Sequence, residues 1–282
     1  VGRVRVHMSE PRSRRREPNA PRRNANSPRR PMNTHRSGGS TGGLRDDSSE
    51  SASGNIGSNT NIREAVATPT QFAALGVSSR VDAGLASAGF AAPFAIQTEA
   101  IPVALTGVDV CGRARTGSGK TLAFGVPMIE LVTEKAKPKK PRGVVLVPTR
   151  ELAVQVTDVL APIAQHCDVR VVAIYGGAAR DKQVEQLVRG AEIIIATPLR
   201  LIDLMKNGEA DLSDVEMIVL DEADRMADEG FMPQVEWVLR HVTKEHQTML
   251  FSATLDGQVA TLVKRYMKSP QEISIDAPTD TV

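Results

Sequence analysis

Lys120 and Thr121, directly after the glycine-bearing loop in ARTGSGKT (114–121), are the residues of this chain best suited to holding a polyphosphate. Gly117 and Gly119 let the backbone curl so that successive N–H groups converge on phosphate oxygens. Lys120 adds a compact positive charge, and the Thr121 hydroxyl can ligate a magnesium ion that travels with the phosphates. The loop pattern starts at Ala114, where a glycine is the rule, and runs through Arg115, Thr116 and Ser118. An ordinary glycine turn that happens to precede Lys-Thr is the alternative reading. Further along, Asp221 and Glu222 follow the apolar run MIVL. The first carboxylate can hold magnesium, directly or through water, while its neighbour orients and deprotonates a water attacking a γ-phosphate. An isolated pair of this kind would otherwise be a solvated strand cap.

Both groups need rigid supports that end at a common edge. From Gln71 onward, short β-branched runs alternate with longer amphipathic segments, which predicts an α/β fold, a parallel sheet with helices on both faces. The predicted strands are 108–111, 144–149, 169–176, 192–198, 217–222, 248–254 and 272–275. Several are nearly continuous apolar runs, as strands buried on both faces are, and the connections are long enough for right-handed crossovers. The glycine loop then lies between a strand and a helix beginning near Gly119, the context phosphate binding requires. Sheets of this kind gather ligands at the carboxyl ends of their strands. GSGKT, PTRELA, a GG pair, TPLR, DEAD and SAT all fall at such ends.

With 282 residues and 41% hydrophobic content, the chain can bury a substantial core. Cys111 and Cys167 lie far apart without CxxC spacing, which predicts neither a zinc site nor a disulfide. No apolar stretch approaches a membrane span and no secretory signal is evident, so a cytoplasmic protein is expected. The formal charge of +2 hides an asymmetry: residues 1–62 hold twelve Arg against five acids, a formal +7, which leaves −5 for residues 63–282. Residues 1–68 are rich in Arg, Ser, Gly and Pro and nearly free of large apolar side chains, the composition of a disordered tail. Such a tail either attracts nucleic-acid phosphates without reading sequence or merely aids solubility. His166, His241 and His246 lack ligand spacing, and Trp237 and Tyr266 read as packing or surface residues of helices.

In order and spacing, GFAAPFAIQ, ARTGSGKT, PTRELA, GG, TPLR, DEAD and SAT resemble the first RecA-like lobe of the DEAD-box RNA helicases, over about Gln71 to Asp276. The resemblance implies a RecA-like P-loop NTPase domain at 69–276 with a glutamine motif at 70–98. The basic tail at 1–68 precedes it, and an interlobe linker starts at 277–282. It also implies RNA-stimulated hydrolysis of ATP, with Mg2+, coupled to local RNA unwinding. Gln97 matches the glutamine whose amide reads the adenine edge. Phe72 matches an upstream aromatic that packs on the adenine ring, a core aromatic being its other reading. Ala114, Arg115, Thr116, Gly117, Ser118, Gly119, Lys120 and Thr121 match the ATP-binding loop. Catalysis is implied for Lys120, Asp221 and Glu222, and magnesium binding for Thr121 and Asp221. Thr149, Arg150, Gly177, Thr197 and Arg200 match positions that grip RNA phosphates and sugars without base specificity; Arg150 could instead cap its own helix. Asp224, Ser252 and Thr254 match positions that link the nucleotide site to lobe movement.

Three positions depart from the family pattern. Phe94 stands where the glutamine motif usually has Thr or Ser, so a hydroxyl bond supporting the phosphate loop is expected to be lost. Leu199 replaces the usual glycine of TPGR, which would stiffen that turn or move Arg200. No second lobe follows Asp276, so its arginine fingers and its half of the RNA groove are expected to be missing and the 282 residues to be nearly inactive alone. Two other readings stay open at this point. One is a non-enzymatic RNA-binding module whose tail does the binding; the other is a DNA-directed motor of the same superfamily.

Overall fold

Among residues 69–275, the part of the chain that the computed structural model describes, all seven expected strands are present. The expected basic tail (1–68) and linker start (277–282) lie outside the described residues. The strands are β1 (Val110–Arg113), β2 (Gly143–Leu146), β3 (Val171–Ile174), β4 (Ile193–Ala196), β5 (Met217–Asp221), β6 (Gln247–Ser252) and β7 (Gln271–Ser274). They form one sheet in the order β3-β4-β2-β5-β6-β1-β7, and every pairing is parallel.

Successive side chains of a strand point to opposite faces, and here both faces are apolar. Val145, Ile193, Ile195, Val219 and Phe251 join one core layer, while Val144, Ile194, Ile218, Leu220 and Leu250 join the other. Four helices cover the first layer: α1 (Ser79–Ser87), α2 (Ala95–Ala104), α3 (Lys120–Leu131) and α4 (Arg150–Gln165). The second layer is covered by α5 (Arg180–Val188), α6 (Pro198–Lys206), α7 (Ala223–Asp228), α8 (Met232–Leu239) and α9 (Gly257–Tyr266). The edge strands β3 and β7 are less covered than the fully buried β2, β4, β5 and β6.

Register aligns the carboxyl ends. Arg113 pairs with Ser252, Asp221 with Phe251, and Leu146 with both Ala196 and Leu220. The predicted strands 144–149 and 169–176 run past the ladders, which stop at Leu146 and Ile174. Pro148 has no N–H to donate, and Gly177 turns in a left-handed conformation at φ 86°. Both strands therefore end where ligand loops begin. Among the described residues no helix is long and apolar enough to cross a membrane. Cys111 and Cys167 are free thiols, and Trp237 stacks on His241 with ring centroids 3.7 Å apart.

Candidate active site

The glycine loop joins β1 to α3. Its first residue is pinned to β6, Ala114 N–H donating to the Ser252 carbonyl at 3.0 Å, and the Ala114 methyl fills core space. Gly117 and Gly119 have φ of 84° and 89°, values that side chains with a Cβ rarely adopt. Gly119 is also crowded: a Cβ there would lie 2.4 Å from Gln97 Nε2 and 2.5 Å from Phe94 Cδ2. Lys120 opens α3, is only 6% exposed, and curls back so that Nζ donates to the Ala114 carbonyl at 3.2 Å. The buried Ser118 hydroxyl oxygen has no hydrogen-bond partner.

β5 delivers the carboxylates. Asp221 is 3% exposed, and its burial pushes the carboxyl up to about 6, with the Lys120 charge opposing and Glu222 adding to the rise. Its Oδ1 accepts from the Glu222 N–H at 3.0 Å. Glu222 itself sits in the left-handed region at φ 54° and precedes α7. That conformation costs a residue with a Cβ about 1–2 kcal/mol, and it turns the side chain toward Thr116, whose hydroxyl donates to Oε1 at 3.5 Å. Arg225 grips the other oxygen, Oε2, at 3.4 Å while its Nε donates to Glu229 at 2.8 Å.

A cavity of about 470 Å3 opens over these groups. Thr116, Gly117, Gly119, Lys120, Thr121, Asp221 and Glu222 supply its polar lining, and Phe90, Ala92, Phe94, Leu122, Leu152 and Val159 supply an apolar one. A ligand with an anionic end and a flat apolar end matches that division. A bound phosphate chain would draw Lys120 off the Ala114 carbonyl. Among the described residues no cluster of three His, Cys, Asp or Glu could hold a metal alone. Thr121 and Asp221 could therefore hold magnesium only with phosphate and water completing its shell, which is how that ion is commonly bound.

The sixth strand ties into this site. Ser252 Oγ accepts from the Asp224 N–H at 3.1 Å, and the Asp224 carboxylate accepts from Ala253 N–H at 3.0 Å. The DEAD and SAT segments are thus cross-linked through backbone groups, while Thr254 is exposed. A second cavity, about 450 Å3, lies over the neighbouring strand ends and is lined by Pro148, Arg150, Gly176, Thr197, Pro198, Leu199, Arg200, Asp203 and Phe231. Arg200 is braced by Gln183 Oε1 at 3.2 Å and the Ala178 carbonyl at 3.5 Å. Leu199 is 56% exposed on the first turn of α6.

The structure places four of the sequence-derived residues as follows. Phe72 is fully buried in the core and absent from the cavity lining, so it has no face to offer a base; its volume is spent on packing. Gln97 lines the cavity, but its amide is already engaged: Oε1 accepts from Phe94 N–H and Nε2 donates to the Gly119 carbonyl, both at 2.8 Å. It joins the start of α2 to the phosphate loop, leaving one amide hydrogen and one lone pair for a ligand. Thr149 is not with Arg150 over the second cavity; its hydroxyl caps α4 by accepting from Leu152 N–H at 3.2 Å, and it lines the first cavity. Arg150 does not cap its helix, because it is the first residue of α4, the end where the helix dipole disfavours a cation; it pairs with Glu151 instead.

Phe90, Phe94 and Arg225 were not assigned to this site from sequence. Arg225 was not legible from helix periodicity, because Glu222 precedes α7 in a left-handed conformation and shares no helix face with it. Position 94 was expected beside the phosphate loop from the glutamine motif, but not as part of the cavity wall, and Phe90 carries no chemical signature of its own.

Residues 94–262 match the DEAD/DEAH box helicase family. The chain is 43% identical over 213 residues to the ATP-dependent RNA helicase DeaD of Escherichia coli, covering 75% of this chain and 34% of that protein. It is 41% identical over 214 residues to the DEAD-box ATP-dependent RNA helicase CshA of Bacillus cereus, covering 76% and 40%. Among solved structures, a DEAD box protein from Methanococcus jannaschii superposes with a TM-score of 0.67 at 34% identity, over 73% of this chain and 56% of that one. A hypothetical ATP-dependent RNA helicase from Sulfolobus tokodaii gives 0.65 at 35%, over 71% and 57%. The chain thus spans about a third to two fifths of the length of these curated relatives, and its fold is the RecA-like P-loop α/β fold.

Proposed function

This chain belongs to the DEAD/DEAH box helicase family, and from that membership we infer that residues 69–276 are the ATP-binding lobe of an ATP-dependent RNA helicase. One observation carries the inference. Lys120 and Thr121 from the glycine loop, and Asp221 and Glu222 from β5, a hundred residues away, line a single cavity.

In this reading the loop N–H groups from Gly117 to Thr121 cradle the phosphates, and Lys120 Nζ exchanges the Ala114 carbonyl for phosphate oxygens. Thr121 and Asp221 hold magnesium, which when bound neutralises charge on the β- and γ-phosphate oxygens. Glu222, steered by Thr116 and Arg225, accepts a proton from the attacking water. Gln97 offers its remaining hydrogen and lone pair to the adenine edge. Arg150, Gly177, Thr197 and Arg200 grip RNA through its backbone, and the Ser252–Asp224–Ala253 bonds carry changes at the phosphates into β6. A cytoplasmic location is compatible with this reading, as no described helix is long and apolar enough to cross a membrane.

The 282-residue chain alone should turn ATP over poorly. Arg225, the arginine beside the cavity, already serves Glu222 and Glu229, and helicases of this family complete the site with arginines from a second lobe. Nucleotide binding is the direct test. At a hundredfold excess over its dissociation constant a ligand adds about 2.7 kcal/mol, and each kcal/mol moves the melting temperature of a domain this size by roughly 2–4 °C. Magnesium-dependent stabilisation of several degrees by ATP, absent in Lys120→Ala, is expected. An undiminished shift in that variant would remove the phosphate-loop assignment.

A further inference from the structure

We propose that Glu151 is a positioning residue for hydrolysis: once RNA has taken its partner Arg150, it draws Arg225 off the Glu222 base, a role that rests on the ATP- and RNA-site reading above. Arg150 and Glu151 are neighbours at the start of α4, yet Arg150 lines the second cavity and Glu151 the first. Their side chains pair with each other, so one ion pair joins the two cavities. Arg225 lines the first cavity as well, and it is held by Glu222 Oε2 at 3.4 Å and Glu229 Oε1 at 2.8 Å. Four groups of alternating charge, Arg150, Glu151, Arg225 and Glu222, thus run from the phosphate-gripping edge to the catalytic carboxylate.

The contact with Arg225 restrains the base. Thr116 holds Oε1 of Glu222, so Oε2, which the guanidinium covers, is the oxygen left to take a proton. A cation beside a carboxylate favours its charged form and makes it a weaker base. Hydrolysis needs the reverse: Oε2 takes the proton that the attacking water gives up as the water oxygen bonds the γ-phosphorus and the bond to the ADP oxygen breaks. Arg150, Glu151 and Arg225 are all exposed, and solvated ion pairs exchange partners at little cost. An RNA phosphate that draws Arg150 away leaves the Glu151 carboxylate unpaired on the rim of the first cavity. Arg225 already acts on that carboxylate, which is held below its ordinary range chiefly by the hydrogen bond from Arg150, with the Arg225 charge adding to the effect. Arg225 then moves toward Glu151 and uncovers Oε2, while Thr116 keeps the base in place.

All four groups belong to this lobe, so the effect is expected without a second one. The experiment is single-turnover hydrolysis of magnesium-ATP by excess 282-residue protein, with and without saturating single-stranded RNA. RNA should raise the slow rate constant about fivefold, the upper end of what a solvated ion pair supplies, and leave the dissociation constant of ATP where it was. Glu151→Gln should abolish that rise, and Glu151→Asp, which keeps the charge, should retain it. Arg150→Gln frees Glu151 without RNA, so its RNA-free rate should match the RNA-stimulated rate of the parent. A carboxylate that only stabilised the first turn of α4 would lower the melting temperature on substitution and leave the RNA dependence intact. A rise that survives Glu151→Gln, or an RNA-free rate in Arg150→Gln equal to that of the parent, overturns the proposal. Glu222→Gln separates the two readings. If it hydrolyses ATP as the parent does, the base assignment falls and the role of Glu151 with it; a slowed Glu222→Gln beside a parent that RNA does not stimulate removes the role of Glu151 alone.

Discussion

Lys120 and Asp221 are almost sealed from solvent, at 6% and 3% exposed, while a few residues along the same sheet edge the Arg150 side chain is 66% exposed and Leu199 stands 56% exposed. The two regions hold charge on different terms. At the phosphate loop, opposite charges sit close together out of water, so each interaction is strong and each unbalanced charge costs stability. Arg150, which lines the second cavity, pairs with Glu151 on the rim of the first; the pair is solvated and contributes little to stability, which leaves the arginine free to exchange its partner for a phosphate. Buried charge suits a site that must stabilise one charge distribution in one geometry. Exposed charge suits a surface that must take any stretch of backbone.

The sharpest test of that division concerns turnover. If the buried edge holds phosphate but lacks a positive charge for the transferring group, appending a second helicase lobe should raise RNA-stimulated ATPase by about 10³–10⁵ over the 282 residues alone. A difference within about tenfold would mean that Arg225 or another residue of this chain already supplies the charge. Within the two-lobe protein, Glu222→Gln should bind ATP normally and hydrolyse it about a hundredfold more slowly, the scale of a positioned general base. Single-turnover kinetics check both, and undiminished hydrolysis in the glutamine variant would place the base elsewhere.

Asp221 tests the cost of burial directly. Its carboxyl titrates near 6 in the folded protein, above its ordinary 3.8, so the native state holds the proton more tightly than the unfolded chain. The penalty is therefore absent below about pH 4, grows as pH rises toward 6, and is complete above it. Asp221→Asn never pays it. Without nucleotide, that variant should gain up to about 3 kcal/mol at neutral pH, two pKa units at about 1.4 kcal/mol each, and lose the advantage near pH 4. It should also lose the magnesium-dependent response to ATP. Melting curves across pH decide the matter: a gain independent of pH would show that the carboxyl is not the strained group.

Sequence and structure agree wherever a physical signal is local. The β-branched runs placed the inner strands because strands covered on both faces must be apolar throughout, and the motif positions located the carboxyl edge because polar residues follow those runs where the strands end. The details of the site were less legible. Gln97 reads as a ligand contact in sequence, yet its amide joins Phe94 to Gly119, a bond that depends on how α2 packs beside the loop. Phe72 and Phe94 are both lone aromatics near the same motif; whether one is core and the other exposed is set by the surrounding packing, which sequence spacing does not report. Thr149 and Arg150 are adjacent in sequence and serve different cavities because a helix starts between them.

The smallest expected effect belongs to the exposed region. Each phosphate that an arginine neutralises on single-stranded RNA releases counterions and contributes about 0.7 to the slope of log affinity against log salt. Arg150→Ala and Arg200→Ala should each lower RNA affinity severalfold and shallow that slope by about this amount, equally for any base sequence. Any phosphate binding by the twelve arginines of residues 1–62 is common to variant and parent, so the difference in slope isolates this face. Arg200 should matter more than Arg150. It is braced by Gln183 and Ala178 and loses little freedom on binding, whereas Arg150 must leave Glu151 and order a solvated side chain. Salt titrations of RNA affinity for the parent and the two variants measure this. A slope that both substitutions leave unchanged would move the RNA off this edge of the sheet, while a slope altered by Asp221→Asn would show that the buried and exposed regions are not separate.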